Sequence, residues 1–110
     1  MPDIVFAKDL EGRYGAGNAA WAQLLGQPAS VLIGQLDSDL FPLDQANNFR
    51  RNDLAMLSSG QPQRNEEWVT YPNGRQALLD TLKSPLRDAG GHVISLVGVC
   101  REIAANKINR

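Results

Sequence analysis

Cysteine and histidine are almost absent from this sequence. Its 110 residues include one cysteine, Cys100, and one histidine, His92. A lone cysteine cannot form a disulfide within the chain, and it fits a reducing compartment such as the cytoplasm. One cysteine and one histidine also fall short of the four ligands that a structural zinc site uses, so we expect no metal site.

The sequence also lacks an excess of charge and a long apolar segment. Its formal net charge is −1, which gives no electrostatic reason to expect binding to nucleic acid. No apolar run approaches the ~20 residues that a membrane-spanning helix needs, and the first residues lack the basic and apolar regions of a secretory signal. We therefore expect a soluble, cytoplasmic domain, long enough for one hydrophobic core.

Catalytic and nucleotide-binding signatures are missing as well. The glycines fit neither GxGxxG nor GxxxxGKS/T, the patterns of loops that hold phosphate groups. A serine nucleophile needs a neighbouring base, and the one histidine lies in a glycine-rich turn. We therefore predict no catalytic residues and no enzyme activity within this domain.

The strongest structural pattern lies near the C-terminus, where two apolar runs, 76–86 and 93–99, flank the turn sequence RDAGGH. Gly90 and Gly91 suit a turn because glycine reaches positive φ without a Cβ clash. The pattern predicts a long antiparallel hairpin. Pro85 has no N–H to donate, so we expect it to end the pairing of the first strand.

The best helix in the sequence is Leu43–Ser59, which Gly60 follows as a C-terminal cap. Four apolar residues share one of its faces: Ala46, Phe49, Met56 and Leu57. Asp53 falls within the same stripe. A carboxylate on an apolar helical face is costly to bury unless it is paired or hydrogen-bonded, so we expect Asp53 to have a partner.

The other elements are shorter. Strands are predicted at 4–8, 13–17 and 64–71, and short helical segments after Asn18, at 29–33 and at 37–42. Together with the hairpin and the long helix, this order predicts an α+β domain. It has one antiparallel sheet of five strands, with the helices on one face.

A series of short motifs runs along nearly the whole chain. They are KDLEGRY (8–14) followed by Asn18, LLG (24–26), IGQLDSDLFP (33–42), SGQP (59–62) with EEW (66–68), PNGR (72–75) and LKSPLRDAGGHVISLVGVCREI (82–103). In this order they resemble the PAS family of sensory domains. Family members usually end in Asp-Ile-Thr, whereas this chain has Glu102, Ile103 and Ala104.

The resemblance implies a sheet of strand order 2-1-5-4-3 and a cavity between the sheet and Leu43–Ser59. Residues 1–103 would form a PAS sensory domain, and 104–110 would begin a linker to an effector in the same chain. That effector would be a histidine kinase or a cyclic-dinucleotide enzyme such as a diguanylate cyclase. The domain would sense a small molecule in the cavity or, as the alternative, serve protein–protein interaction and homodimerisation without a ligand.

Neither cofactor of the coloured PAS branches is expected. The resemblance implies that a haem-binding member would carry a histidine on the long helix, but His92 lies in the RDAGGH turn. A flavin-linked photoreceptor would carry its reactive cysteine in the short-helix region, whereas Cys100 follows the last aliphatic run. We interpret His92 as an exposed turn residue and Cys100 as a small packing residue.

Lys8 and Lys83 lie in strands otherwise rich in apolar residues, and Asp53 lies on the apolar face of the helix. With Glu67 they form a set of charged residues that fits a structural ion pair tying the helix to the sheet, or lysines that snorkel at the strand ends. The functional alternative is a polar anchor at one end of an apolar ligand pocket. The candidate pocket residues are Phe41, Phe49, Asp53, Met56, Trp68 and Lys83, and Trp21 fits the same role. Their aromatic and apolar members fit a filled core equally well.

Overall fold

The computed structural model describes residues 3–105, and five strands form one antiparallel sheet within them. The strands are β1 (Ile4–Asp9), β2 (Tyr14–Gly17), β3 (Gln63–Thr70), β4 (Gln76–Arg87) and β5 (Val93–Ala105). Their order across the sheet is β2-β1-β5-β4-β3. The predicted α+β class and strand order are both confirmed.

Four helices connect β2 to β3. They are α1 (Ala19–Leu25), α2 (Ala29–Leu32), α3 (Asp37–Leu40) and α4 (Leu43–Ser59). The Asn18 side chain accepts a hydrogen bond from the Trp21 backbone N–H at 3.0 Å, which confirms the predicted N-cap of α1. Gly60 ends α4 in the left-handed region, at φ 69°, as expected of a C-terminal glycine cap. Within residues 3–105, no helix is long and apolar enough to cross a bilayer.

The prediction that Pro85 ends the pairing of β4 is wrong. β4 continues to Arg87, and Pro85 lies opposite Leu96 of β5. The neighbouring strand β3 starts at Gln63, opposite Lys83, so β4 has β5 as its one partner strand beyond that point. A proline is tolerated there because an edge strand does not need every N–H for the ladder.

The last strand runs further than the apolar run 93–99 predicts. β5 reaches Ala105, and its final part pairs with the start of β4, where Leu78 lies opposite Ala104 and Leu79 opposite Glu102. The strand therefore includes the first two residues of the predicted linker 104–110. The rest of that segment lies outside the described residues.

Alternation along the strands places the core on the helix-covered face of the sheet. Along β4, Ala77, Leu79, Thr81 and Lys83 are all buried. The packing against this face is close, because a Cβ on Gly98 would lie 2.3 Å from the Phe6 ring. Glycine at that position lets the ring of a neighbouring strand rest directly on the β5 backbone.

Candidate ligand cavity

A small cavity lies inside the fold, between the sheet and the helices. Its volume is about 50 Å³, which exceeds the roughly 10–15 Å³ needed for one water molecule. Most of the lining is apolar or aromatic: Ile4, Phe6, Tyr14, Trp21, Leu24, Leu25, Phe41, Phe49, Val69, Tyr71, Leu79 and Cys100. The charged lining residues are Lys8, Asp37, Glu67 and Lys83.

Of the six predicted pocket residues, three line the cavity, two are buried without lining it, and one lies on the outer face of the sheet. Phe41, Phe49 and Lys83 line the cavity. Asp53 contacts the lysines from behind the lining, and Met56 is fully buried in the core without lining the cavity.

Trp68 does not belong with the others, so its assignment to the pocket or the core is wrong. Its neighbours Glu67 and Val69 point into the core of the domain and are 4% and 2% exposed. Because side chains alternate along a strand, Trp68 must point to the opposite face, where it is 47% exposed. Trp21, in contrast, is buried and lines the cavity.

The buried charges form a chain of alternating sign. The Lys8 ammonium donates to Asp37 and, at 2.9 Å, to Asp53 Oδ2. The Lys83 Nζ lies 2.7 Å from Asp53 Oδ1, as an ion pair outside hydrogen-bonding angles, and donates to Glu67 Oε2 at 3.0 Å. We call these five residues, Asp37, Lys8, Asp53, Lys83 and Glu67, the charge chain.

Neutral side chains close both ends of the charge chain. The Tyr14 hydroxyl donates to Asp37 Oδ1 at 2.6 Å. The Asn52 amide donates to Glu67 Oε2 at 2.9 Å. Every carboxylate of the chain is therefore held by at least two donors or cations, which is what a buried carboxylate requires.

Local structure accounts for the positions of Lys8 and Asp53. Lys8 follows Ile4 and Phe6 at a spacing of two along β1, and all three are buried. On α4, Asp53 lies four residues after Phe49 and shares its buried face. The expected pairing of Asp53 is confirmed, and so is the grouping of Lys8, Asp53, Glu67 and Lys83.

Three members of this network were not found from the sequence. Asp37 follows a loop and starts α3, where an acidic residue usually serves the first turn of a helix. Tyr14 and Asn52 carry no charge and sit in segments that predict only a strand and a helix. The one available signal was the alternation along β2, which places Tyr14 on the face opposite Gly15.

The pKa values of two cavity residues follow from this network. Burial is the largest influence on Lys83 and lowers its pKa, but the charges and contacts of Asp53 and Glu67 together outweigh it and raise the pKa above 10.5. Burial, followed by the charge of Asp37, raises the pKa of Tyr14 well above 10.0. Lys83 is thus charged and Tyr14 neutral at physiological pH.

Two aromatic side chains of the cavity lining carry unused hydrogen-bond donors. Trp21 Nε1 and the Tyr71 hydroxyl are buried and have no hydrogen-bond partner among residues 3–105. Burial, followed by the charge of Glu102, raises the pKa of Tyr71 to about 12, so the hydroxyl keeps its proton. Buried donors without a partner are uncommon, because a donor that leaves water without gaining a new hydrogen bond raises the free energy of the folded state.

Tyr71 also connects the cavity to the end of β5. The Arg75 guanidinium lies 5.0 Å from the centre of the Tyr71 ring. Arg75 also makes a two-pronged contact with Glu102, at 3.1 and 2.6 Å. The acidic residue of the terminal triplet therefore holds a defined partner beside the cavity.

The single histidine and the single cysteine lie where the sequence predicts. His92 is in the turn before β5, and its side chain is 82% exposed, 3.5 Å from Asp88. Cys100 is buried on the inner face of β5, where its sulfur lies 3.4 Å from Thr81 Oγ1.

Stability should fall as the pH rises from 9 to 11, partly through Cys100. Burial raises the pKa of this thiol from 9.0 to about 11, so between these values the unfolded chain loses the proton that the folded chain keeps. Full loss would amount to about 2–3 kcal/mol. Urea titrations at pH 8, 10 and 11 should show a smaller decline in the Cys100→Ala variant than in the wild type. Equal declines in both proteins would contradict this role of Cys100.

The sequence profile of the PAS fold family matches residues 1–107. The chain belongs to the PAS family. One relative is the methanogenesis regulatory histidine kinase FilI of Methanothrix harundinacea (strain 6Ac), which is 32% identical over 101 residues. This match covers 92% of the chain and 11% of FilI, so the chain spans about a tenth of that relative.

Two solved PAS structures share the fold. VqmA bound to DPO has a TM-score of 0.84 at 23% identity, and the match covers 93% of this chain and 52% of that one; VqmA is a protein of Vibrio cholerae. The RpfR quorum-sensing receptor PAS domain of Cronobacter turicensis, in complex with BDSF, has a TM-score of 0.79 at 19% identity. That match covers 94% of this chain and 96% of the RpfR domain.

Proposed function

We propose that this PAS domain is the sensory input module of a multidomain signal-transduction protein, and that it senses a small molecule in its cavity. The observation that carries the proposal is the composition of the cavity. An apolar and aromatic wall meets a buried charge chain at one end and two unpaired donors elsewhere in the lining. Ligand pockets combine these features, since apolar walls supply affinity and a few polar groups orient the ligand.

The comparisons support the sensory part of the proposal. A relative that contains a segment similar to this chain is a regulatory histidine kinase. Two domains of the same fold were solved with small molecules, DPO in VqmA and BDSF in RpfR. We propose by analogy that the effector is a histidine kinase or a cyclic-dinucleotide enzyme in the same chain, in the cytoplasm.

The contact between Arg75 and Glu102 suggests how the signal leaves the domain. Tyr71 lines the cavity and lies against Arg75, which holds Glu102 near the end of β5. A ligand that moves Tyr71 would therefore shift Arg75 and alter its contact with Glu102. We propose that this change passes from the end of β5 toward an effector. The proposal includes no haem and no covalent flavin, because His92 is exposed and is not among the lining residues, and Cys100 is a buried thiol that accepts a hydrogen bond from Thr81.

A second candidate function is a ligand-free module that forms homodimers. The observation in its favour is the outer face of the sheet, where Trp68, Leu86 and Val99 are 47%, 46% and 36% exposed. Exposed apolar surface of this kind is often buried by a partner.

Native mass spectrometry of protein purified without added ligand tests the first function against the second. Sensing in the cavity predicts a mass excess over the bare chain, which disappears after denaturation. A bare mass found only as a dimer would favour the interaction module. Trp68→Glu separates the two further, because it should abolish an outer-face dimer and leave a cavity-bound ligand in place.

A further inference from the structure

Two polar groups of the cavity lining are buried donors without a partner. Trp21 Nε1–H and the Tyr71 O–H have no partner among the described residues. Each lysine ammonium carries three N–H groups, and each contacts two carboxylates of the charge chain. At least one N–H on each lysine therefore remains, beside the two aromatic donors.

The carboxylates of the charge chain are already held by cations and donors of the protein. Tyr14 and Lys8 donate to Asp37, and Asp53 accepts from Lys8 and lies 2.7 Å from the Lys83 Nζ. Glu67 accepts from Asn52 and Lys83 on Oε2. An amine ligand would have to share these carboxylates with the two lysines, whereas an acceptor would meet two donors, Trp21 Nε1 and the Tyr71 hydroxyl, that have no partner among the described residues.

The charge balance disfavours an anion as well. Two lysines face three carboxylates in the charge chain, so its formal charge is −1. A carboxylate ligand would bring a second uncompensated negative charge into a buried site, where an unpaired charge is costly.

From these observations we infer that the cavity selects a compact, uncharged molecule that carries hydrogen-bond acceptors, such as a ketone, a lactone or a ring nitrogen, held by Trp21 Nε1 and the Tyr71 hydroxyl. The inference rests on the proposed function and states the chemistry of its ligand. It also favours the structural ion pair over the polar anchor at Asp53, because both lysines of the charge chain already contact this carboxylate.

Four compounds of nearly equal size test this selection: cyclopentanone, methylenecyclopentane, cyclopentylammonium and cyclopentanecarboxylate. They present the same ring with an acceptor, no polar group, a positive charge and a negative charge. The readout is the indole N–H signal of each tryptophan in ¹⁵N-labelled protein during titration. The chain supplies its own control, because it has two tryptophans and Trp68 lies on the outer face.

Cyclopentanone should move the Trp21 indole signal downfield, as expected of a donor that gains an acceptor, and leave the Trp68 signal unchanged. The two charged compounds should bind at least about tenfold more weakly. Tighter binding of cyclopentylammonium would assign the site to the carboxylates of the charge chain and overturn the inference. Tighter binding of the carboxylate, or an unchanged Trp21 signal at saturating ketone, would overturn it too.

The outcomes also separate this inference from the proposed function. Equal binding of all four compounds would overturn the acceptor preference and leave cavity sensing intact. If none of them shifts the signals of cavity-lining methyl groups, such as those of Leu25 and Leu79, both proposals fail.

A hydroxyl deletion provides the second measurement. Tyr71→Phe should weaken cyclopentanone about fivefold, which is the effect of one lost hydrogen bond, and leave methylenecyclopentane unaffected. The variant should fold normally, because it removes a hydroxyl that has no partner in the unliganded protein. Equal losses for the ketone and the hydrocarbon would indicate a change of shape and count against the inference.

Discussion

Replacing Asp53 by alanine is expected to lower the free energy of unfolding by about 3–5 kcal/mol. Asp53 is fully buried and holds both lysines of the charge chain, Lys8 at 2.9 Å and Lys83 at 2.7 Å. Without it, the two ammonium groups remain in the interior with one carboxylate each, Asp37 and Glu67. The stability falls because each buried ammonium loses one of its two carboxylate partners and α4 loses its ion pairs to the sheet. Urea denaturation at neutral pH measures the loss.

Asp80→Ala is the matched control for this experiment. Asp80 also pairs with a cation, Arg64 at 3.3 Å, but their side chains are 32% and 67% exposed. Solvent screens such a pair, so its removal should cost about 0–1 kcal/mol. If Asp53→Ala costs no more than Asp80→Ala, the charge chain does not hold α4 to the sheet. A preserved stability together with lost ligand binding would instead identify Asp53 as a ligand anchor.

The elements of the fold were predictable because local chemistry specifies them. Asn18 and Gly60 mark helix ends, and the alternation and glycine turn near the C-terminus specify the hairpin. The strand ends were not predictable in the same way. β4 passes through Pro85 because β3 does not extend beyond Lys83 to pair with it. β5 reaches Ala105 because the first residues of β4 pair with its last residues. Strand length thus depends on neighbours that the local sequence does not reveal.

The charged part of the site was predictable for a different reason. Lys8, Lys83 and Asp53 stand at positions whose spacing points inward, and a charge at such a position needs a compensating partner. Asp37 gave no such signal, because an acidic residue at the start of a short helix has an ordinary local explanation.

The wrong prediction for Trp68 and the correct prediction for Lys83 both concern which face of the sheet the residue occupies. Local composition favours tryptophan inside and glutamate outside, which would place Trp68 in the core. Lys83 holds Glu67 at 3.0 Å on the inner face, and this fixes the register so that Trp68 faces outward. A tertiary ion pair thus decides the orientation of the strand against the preference of single residues.

A ligand is accommodated more easily by moving aromatic side chains of the lining than by separating the residues of the charge chain. The contacts of the charge chain join β1, α3, α4, β4 and β3, and separating any of them would leave a buried charge with fewer partners. Phe41 and Phe49 pack edge to face at 5.4 Å, and Phe41 is only half-buried. These two aromatic side chains can move without leaving a buried charge unpaired.

Phe49→Ala is the second substitution with a large expected effect, about 3–5 kcal/mol of lost stability. The Phe49 ring is 7% exposed and lines the cavity, and the Lys83 ammonium lies 5.9 Å from its centre. The variant removes buried apolar contacts and enlarges an existing space, which the surroundings fill only in part. The loss is again measured by urea denaturation.

Leu54→Ala is its control, because Leu54 lies on the same helix and is 48% exposed, so its loss should stay near 0.5 kcal/mol. The enlarged cavity in Phe49→Ala should also accept benzene, which binds dry apolar cavities in proteins. Benzene should therefore raise the melting temperature of Phe49→Ala more than that of the wild type. Equal shifts in both proteins would mean that the space left by Phe49 collapses. A stability loss no larger than that of Leu54→Ala would mean that this ring does not support the wall of the cavity.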